Sequence, residues 1–461
     1  MQQELKIGLE IHGYLQTKEK LFCNCKAQRH STKENIKPNT NICPICSAQP
    51  GCKPMLPNEE AIKKIIQIAL ILNCKISPQI TWQRKHYNWP DLPKGYQNTI
   101  SGAHSIPNAT NGKFNDIKIR EIHLEEDPAS WNPETGCIDY NRSGLPLVEI
   151  VTEPDFSSIE QVEAWLNSLI LSLSYIKALD KNAGIKADVN VSTKKTDFKT
   201  RVEIKNVSSI EAIKSAILAE AERQKKEEVV QETRRFDIKT GKTTRMRTKE
   251  QAEDYRFIPE PDLPIIKITT KEIEEIKKQL PETPEKKLEN LIKKYKIDKK
   301  SAEVLYRNFE LVEFFEKLIE KISPQIALSW VTIELLRVLN YNKSSLENPE
   351  ADIKSEHLAE LIQAVESKKL TELKAKQMLN DFYPKSFSIS SKLKSSQRIT
   401  DEKEIQVFVE KAIKQNEKAS SDYKSGEKQA LNFLLGEVMK LSNKRADFQV
   451  ARKVLEKLLK S

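Results

Sequence analysis

The chain has 461 residues, with 76 Lys and Arg against 66 Asp and Glu, a formal net charge of +10 and seven cysteines. That length exceeds what one core serves and implies roughly two to three domains. No run of about eighteen apolar residues occurs, which excludes a membrane-spanning helix. The start Met-Gln-Gln-Glu-Leu carries neither a basic n-region nor an apolar h-region, so a cytoplasmic location is expected. The positive balance is compatible with a polyanionic partner, and equally with a Lys-rich proteome.

In chain order, Leu5 to His12 is the first strand expected. A side-chain period of two sends Leu5, Ile7, Leu9 and Ile11 one way and Glu10 and His12 the other. The same split recurs. Ile122 and Leu124 oppose His123 and Glu125; Val189 and Val191 oppose Asp188 and Asn190; Val202 and Ile204 oppose Arg201, Glu203 and Lys205. In the apolar run Pro146 to Val151, Glu149 is a lone carboxylate. A strand apolar throughout is covered on both faces, so a charge within it requires a partner, a metal or a water-filled cleft. The wet face of an antiparallel sheet is the plain alternative, but such a face carries Thr, Ser, Lys and Glu without preference. Here Glu, Asp, His and Asn dominate, the set that holds Mg²⁺ and the phosphates bridged to it.

Between the first strand and the first helix lie Cys23, Cys25, Cys43 and Cys46, two pairs on short turns. That spacing suits a Cys₄ zinc site, structural because four protein ligands leave no open position. Its expected work is to pin the long loop after the first strand. Buried or disulfide-bonded thiols are the alternative, and a cytosolic setting disfavours disulfides. Cys52, Cys74 and Cys137 lack such partners.

Two helices are expected in this half. One follows Asn58 as N-cap with Ile62, Ile65, Ile66 and Ala69 on one face; the other follows Ser157-Ser158 with Val162, Leu166, Leu169, Ile170 and Leu173 as a stripe. After Pro281 to Pro284 the pattern is helical almost throughout, with Ala302, Leu305, Leu311, Phe314 and Phe315 and then Ile326, Leu328, Val331, Leu335 and Leu339 at helical spacing. A Ser/Lys-rich stretch from Tyr383 to Ser396 separates one helical unit from another starting near Thr400-Asp401. The expected fold is α+β: an N-terminal, mainly antiparallel-sheet, cradle-like catalytic domain with a zinc loop over 1–285, then two all-helical modules over 286–395 and 396–461.

Several strings carry a family resemblance. Gly8 to His12, Asn41 to Cys46, Tyr87 to Gln97, His123 to Asp127, Asp139 to Asp155, Arg201 to Asn206 and Asp254 to Asp262 resemble, in order and spacing, the B subunit of aspartyl/glutamyl-tRNA(Asn/Gln) amidotransferase. In the tail, Asp422 to Gly426 and Phe433 to Lys440 resemble that family's C-terminal helical domain, which contacts tRNA. The resemblance implies a glutamine-dependent, carbon–nitrogen-forming ligase of translation. ATP phosphorylates the side-chain carboxylate of Glu-tRNA(Gln) or Asp-tRNA(Asn), and ammonia from a partner amidase, the A subunit, with or without a small C subunit, displaces the phosphate. A carboxylate accepts ammonia only once its oxygen has become a leaving group, and phosphoryl transfer needs positioning and Mg²⁺.

Carried over residue by residue, Glu10, His12, Glu125 and Glu149 are expected around Mg²⁺ and the ATP phosphates. Asp188, Asn190, Glu203 and Lys205 occupy further cofactor positions, and Arg142 and Arg256 are candidate contacts to phosphate or the tRNA 3′ end, with structural ion pairing as the alternative for both. The chain departs from the family pattern at Lys181 to Ala187, where Lys186 stands at an Arg position without the preceding acidic pair, and at Asn88 and Trp89. Lys440, Lys444, Arg445, Arg452, Lys453, Lys457 and Lys460 crowd the last turns and are expected to grip tRNA phosphates. A non-catalytic tRNA-binding scaffold and a free-standing ATP-dependent ligase or kinase are the rival functions; no glutaminase signature occurs in the chain.

Overall fold

The computed structural model describes residues 4–27, 36–180, 184–247, 255–348 and 350–460. Lys181 to Ala183 and Asp254, singled out above, lie outside the described residues. The chain divides into Met1–Thr283 and Pro284–Ser461.

The first unit opens with β1 (Leu5–Tyr14), whose alternation buries Ile7, Leu9 and Ile11. The cysteine-bearing loop leads to α1 (Glu59–Ile71), where the Asn58 side chain accepts the Ala61 amide and Ile65, Ile66 and Ala69 are buried. Short β2 (Lys75–Ile76) and β3 (Gln79–Ile80) precede β4 (Gln83–His86), β5 (Tyr96–Thr99), β6 (Ala109–Phe114) and β7 (Ile117–Glu126). A two-stranded ribbon, β8 (Ser130–Trp131) and β9 (Ile138–Asp139), leads into β10 (Pro146–Thr152). Helix α2 (Ile159–Tyr175), capped by Ser158, buries Val162, Leu166, Leu169 and Leu173. Then come β11 (Ile185–Thr193), β12 (Val202–Ser208), α3 (Ile210–Lys226), β13 (Glu232–Asp237), β14 (Lys242–Arg247), β15 (Arg256–Pro259), β16 (Ile266–Lys267) and α4 (Thr270–Lys278).

Twelve strands form one sheet in the order β14-β13-β12-β11-β1-β10-β7-β5-β4-β15, with β6 beside β7 and β2 beside β6. Its pairings are antiparallel except β12 with β13, which is parallel. A parallel neighbour cannot be reached through a tight turn, and α3 makes the crossover. Helices α1, α2 and α3 contribute to the same apolar cluster as the inward residues of β1, β7, β10, β11 and β12. The opposite residues of those strands are therefore left to carry polar groups.

One irregularity matters downstream. The β11–β12 register shifts between Ala187 and Val189, so that Lys205 and Asn206 together oppose Asp188, and Asn206 adopts φ 56°. Asparagine tolerates this left-handed conformation better than most residues, and a bulge of this kind re-aims side chains at a sheet face.

The second unit is helical: α5 (Pro284–Tyr295), α6 (Lys299–Tyr306), α7 (Phe309–Leu318), α8 (Pro324–Ser329), a π-helical turn at Trp330–Leu335, α9 (Leu336–Tyr341), α10 (Ser355–Glu366), α11 (Glu372–Asn380), α12 (Ser390–Ser396), α13 (Glu402–Gln415), α14 (Glu417–Lys424), α15 (Gln429–Leu441) and α16 (Phe448–Lys460). Its apolar residues form two clusters, one around Leu305, Phe315, Ile362 and Phe382 and one around Ile405, Leu434, Val438 and Leu455. The Ser/Lys-rich stretch is not a bare separator. Ile389 is buried in the first cluster, with Phe387 and Leu393 packed on it, and Glu360 accepts the Ile389 amide at 3.1 Å. Three apolar side chains in a polar segment suffice to dock it. No helix among the described residues is long and apolar enough to cross a membrane.

Candidate active site and cysteine cluster

The polar face of the large sheet bears a cleft of about 350 Å³ lined by residues of several strands, including Glu10 and His12 of β1, Glu125 of β7, Glu149 of β10, Asp188 of β11 and Glu203 with Lys205 of β12. Register brings them there. Glu10 stands opposite Asp188, and His12 stands opposite Glu149. Six carboxylates line the cleft, those named and Glu232, against the permanent cations Lys85, Arg201 and Lys205. The excess of negative charge favours a cation.

Among the described residues, Glu10, Asp188 and Glu203 offer carboxylate oxygens that all lie within 4.8 Å of one another. Each is held from the side. The Asn206 amide donates to Asp188 Oδ1 at 2.7 Å through the bulge, Thr233 Oγ1 donates to Glu203 Oε2 at 3.3 Å, and Asn190 Nδ2 donates to Glu10 Oε1 at 3.1 Å. Lys205 Nζ sits 2.8 Å from both Asp188 Oδ2 and Glu203 Oε1. Burial, then the carboxylate of Glu149, hold Glu10 above the usual carboxyl range despite the pull of Lys205. Burial alone would depress the Lys205 ammonium, but Asp188 and Glu203 outweigh it and hold it well above its ordinary value. Buried Asn190 Oδ1 has no hydrogen-bond partner among the described residues. Hard oxygen donors with an unsatisfied buried carbonyl beside them fit a hard divalent cation such as Mg²⁺.

The remaining expected ligands are near but differently engaged. Glu125 accepts from Thr99 Oγ1 at 2.5 Å and Gln97 Nε2 at 3.3 Å, and His12 Nε2 is 3.7 Å from Glu149 Oε1. All four of Glu10, His12, Glu125 and Glu149 face one cleft, while the tightest acidic group joins Glu10 to Asp188 and Glu203 instead. Arg142 does not line the cleft. Its guanidinium donates to the carbonyls of Pro128 at 3.0 Å and Ala129 at 2.5 Å and pairs with Asp127 at 3.0 Å, a structural role. Arg256 is exposed on β15, outside the lining, although the neighbouring Tyr255 is part of it.

The cleft also holds residues that no sequence pattern marks: Lys85, whose Nζ lies 4.5 Å from the centre of the Tyr255 ring, and Thr233 and Glu232. Strand β13 shows no apolar alternation that would have flagged the last two, because it is part of a buried charge network. Glu220 of α3 accepts from Arg223 at 2.7 Å and Thr243 at 2.9 Å, and Arg234 pairs with Glu232 at 2.6 Å.

The four cysteine sulfurs of Cys23, Cys25, Cys43 and Cys46 likewise lie within 4.8 Å of one another as free thiols. Cys46 Sγ is 3.9 Å from Cys43 Sγ and 4.0 Å from Cys25 Sγ. The edge of a tetrahedron with metal–sulfur bonds of ≈ 2.3 Å is about 3.8 Å, so the cluster could close on a tetrahedral metal with little movement. A hydrogen bond from the Cys23 thiol pulls the Cys46 thiol below its ordinary range, and the buried Lys20 ammonium is 3.4 Å from its sulfur. The loop is tied to the stretch before β10: Asp139 accepts the Asn39 amide at 2.9 Å, Asn141 the Asn41 amide at 2.8 Å, and Ser143 donates to the Cys46 carbonyl at 2.8 Å.

Residues 5–274 match the family described as GatB/GatE catalytic domain, and residues 313–459 match the GatB domain. The chain is 42% identical to the B subunit of aspartyl/glutamyl-tRNA(Asn/Gln) amidotransferase from Methanothermobacter thermautotrophicus, over 96% of this chain and 97% of that protein. It is 40% identical to the protein of the same name from Methanocaldococcus jannaschii, covering 96% and 95%, and 39% identical to that of Methanopyrus kandleri, covering 99% of each.

Proposed function

The chain belongs to the GatB family of aspartyl/glutamyl-tRNA(Asn/Gln) amidotransferase B subunits, and on that premise we propose that its cleft is where ATP activates the side-chain carboxylate of a misacylated tRNA. The observation that carries the reading is the convergence of Glu10, Asp188 and Glu203 from three strands, with Glu125, Glu149 and His12 on the same cleft. These residues would hold Mg²⁺. When bound, Mg²⁺ neutralises the charge that gathers on the γ-phosphate oxygens and aligns them for in-line attack.

The chain's own side chains do the rest. Lys85, Arg201 and Lys205 supply positive charge for the phosphates, and Tyr255 walls the cleft beside Lys85. A side-chain carboxylate oxygen of the aminoacyl group takes the γ-phosphoryl group and ADP leaves; ammonia then attacks the acyl carbon, a proton is lost and phosphate departs. No nucleophilic side chain is required, because positioning and electrostatics supply the catalysis. As a B subunit the protein works within a heteromeric enzyme, with the ammonia delivered by its amidase A subunit, with or without a small C subunit, in the cytoplasm.

The cysteine cluster would hold a structural Zn²⁺, whose four thiolates leave no position for chemistry. The organisation we propose is a catalytic cradle over 1–285, a helical domain over 286–395 and a tRNA-contacting tail over 396–461. Exposed Lys440, Arg452, Lys453, Lys457 and Lys460 on α15 and α16 support the last assignment. The test is ATP- and glutamine-dependent conversion of Glu-tRNA(Gln) and Asp-tRNA(Asn) with the amidase partner present. Conversion of at least one, lost on omitting ATP, supports the reading; ATP-independent conversion overturns it.

A further inference from the structure

Lys205 is placed where a second role follows from geometry. Each of Asp188 and Glu203 has one oxygen fixed by the fold, Asp188 Oδ1 by the Asn206 amide and Glu203 Oε2 by Thr233. The other oxygen of each, Asp188 Oδ2 and Glu203 Oε1, is the one that Lys205 Nζ contacts, both at 2.8 Å. The ammonium is mostly buried, with 21% of its side chain exposed, and it spans two of the three acids in the cluster of Glu10, Asp188 and Glu203. The bulge sets this up, because it puts Lys205 and Asn206 together against Asp188, one supplying the ammonium and the other the backbone amide.

We propose that Lys205 is a built-in placeholder cation: it occupies the metal-facing oxygens of Asp188 and Glu203, and a divalent cation enters fully only when a nucleotide's polyphosphate offers the ammonium another partner. The inference rests on the reading of the cleft given above. Its physical basis is competition. Two positive groups cannot share the same pair of carboxylate oxygens without strong mutual repulsion in a partly desolvated cleft. A polyphosphate relieves that repulsion by drawing the ammonium and the divalent cation to different oxygens. Lys205 thereby makes cation and nucleotide binding mutually dependent, a coupling between two ligands carried by one side chain.

The experiment uses the full chain and Mn²⁺ as probe, measured by electron paramagnetic resonance with and without a non-hydrolysable ATP analogue, in the parent, Lys205→Met and Lys205→Arg. The parent should bind Mn²⁺ weakly alone and more tightly with the analogue. Lys205→Met should bind Mn²⁺ alone about tenfold more tightly than the parent and gain less from the analogue, as removal of one nearby charge predicts. Lys205→Arg, which keeps the charge, should stay close to the parent. A thermal melt of each protein guards against misfolding: in Lys205→Met, Mn²⁺ should raise the melting temperature more than in the parent, because three crowded acids have lost their internal cation. Mn²⁺ binding to Lys205→Met that is equal to or weaker than in the parent, while the parent still binds with the analogue, overturns the placeholder role alone. Absence of Mn²⁺ binding in every protein, with and without the analogue, overturns the metal reading of the cleft as well.

Discussion

Glu10 and Asp188 stand directly opposite each other on the antiparallel strands β1 and β11, two acids on neighbouring positions of one sheet face although 178 residues apart in sequence. Directly opposed like charges weaken a sheet. The arrangement persists because Asn206, Lys205 and Asn190 hydrogen-bond to the two carboxylates, and it gives the face its capacity for a cation.

The crowding has a pH signature. Burial and then Glu149 hold Glu10 above its ordinary 4.5. The folded chain therefore keeps a proton that the unfolded chain releases, so this group's stabilisation is complete below about 4.5 and is lost as pH rises through the raised value. Glu10→Gln, permanently neutral, should flatten that descent. With Mg²⁺ omitted it should melt above the parent at pH 8 and with the parent near pH 4. Melting curves across pH check this; a parent that gains stability steadily from pH 4 to 8 with the variant falling behind contradicts it.

The buried network behind the cleft should be the costliest electrostatic element to break. Glu220 is fully buried and pairs with Arg223 at 2.7 Å. Glu220→Ala removes one of the two buried carboxylates of this network and leaves Arg223 and Arg234 to share Glu232, which should cost about 3–5 kcal/mol. Glu153→Ala, which breaks the half-exposed Arg120–Glu153 pair, should cost about 0–1 kcal/mol. Urea denaturation of both variants tests the contrast, which equal losses would refute.

For the cysteine cluster, elemental analysis should find one zinc per chain. Cys43→Ala should abolish it and destabilise the first unit by roughly 2–4 kcal/mol, since metal binding and loop ordering are one event. Cys52→Ser and Cys137→Ser, at exposed thiols outside the cluster, should keep full zinc content. Zinc retained in Cys43→Ala would remove the assignment.

In the tail, Lys453→Glu with Lys457→Glu reverses two exposed charges on α16 without touching its buried face of Ala451, Val454, Leu455 and Leu459. tRNA affinity should fall, and the dependence of log affinity on log salt should become shallower by about one for each phosphate no longer neutralised. ATP hydrolysis should be untouched. Unchanged affinity and slope would place the tRNA-binding face elsewhere.

Much of the site was legible because period-two alternation separates faces without knowledge of partners. Glu10, His12, Glu125, Asp188, Glu203 and Lys205 stand out this way and Glu149 as the lone charge in an apolar run, and all face one cleft. Which acids meet was not legible, since the pairing of β1 with β11 and the bulge at Asp188 are long-range properties that neither strand displays alone. The position of Arg142 was not legible for a different reason. A guanidinium fork suits backbone carbonyls as well as phosphate, and only the fold reveals that it serves Pro128 and Ala129. The parallel placement of β13 likewise escaped notice, because a strand of Glu, Thr and Arg carries its burial in ion pairs rather than in apolar periodicity.

The most direct test of the account is single-turnover conversion of misacylated tRNA by the complete complex carrying Glu10→Gln, at saturating Mg²⁺, ATP and glutamine. tRNA binding should be retained while conversion falls by roughly a hundredfold or more, as loss of charge stabilisation at a phosphoryl-transfer centre would produce. A variant that converts its substrate at the parent's rate would contradict the claim that Glu10, Asp188 and Glu203 hold the cation at which the chemistry occurs.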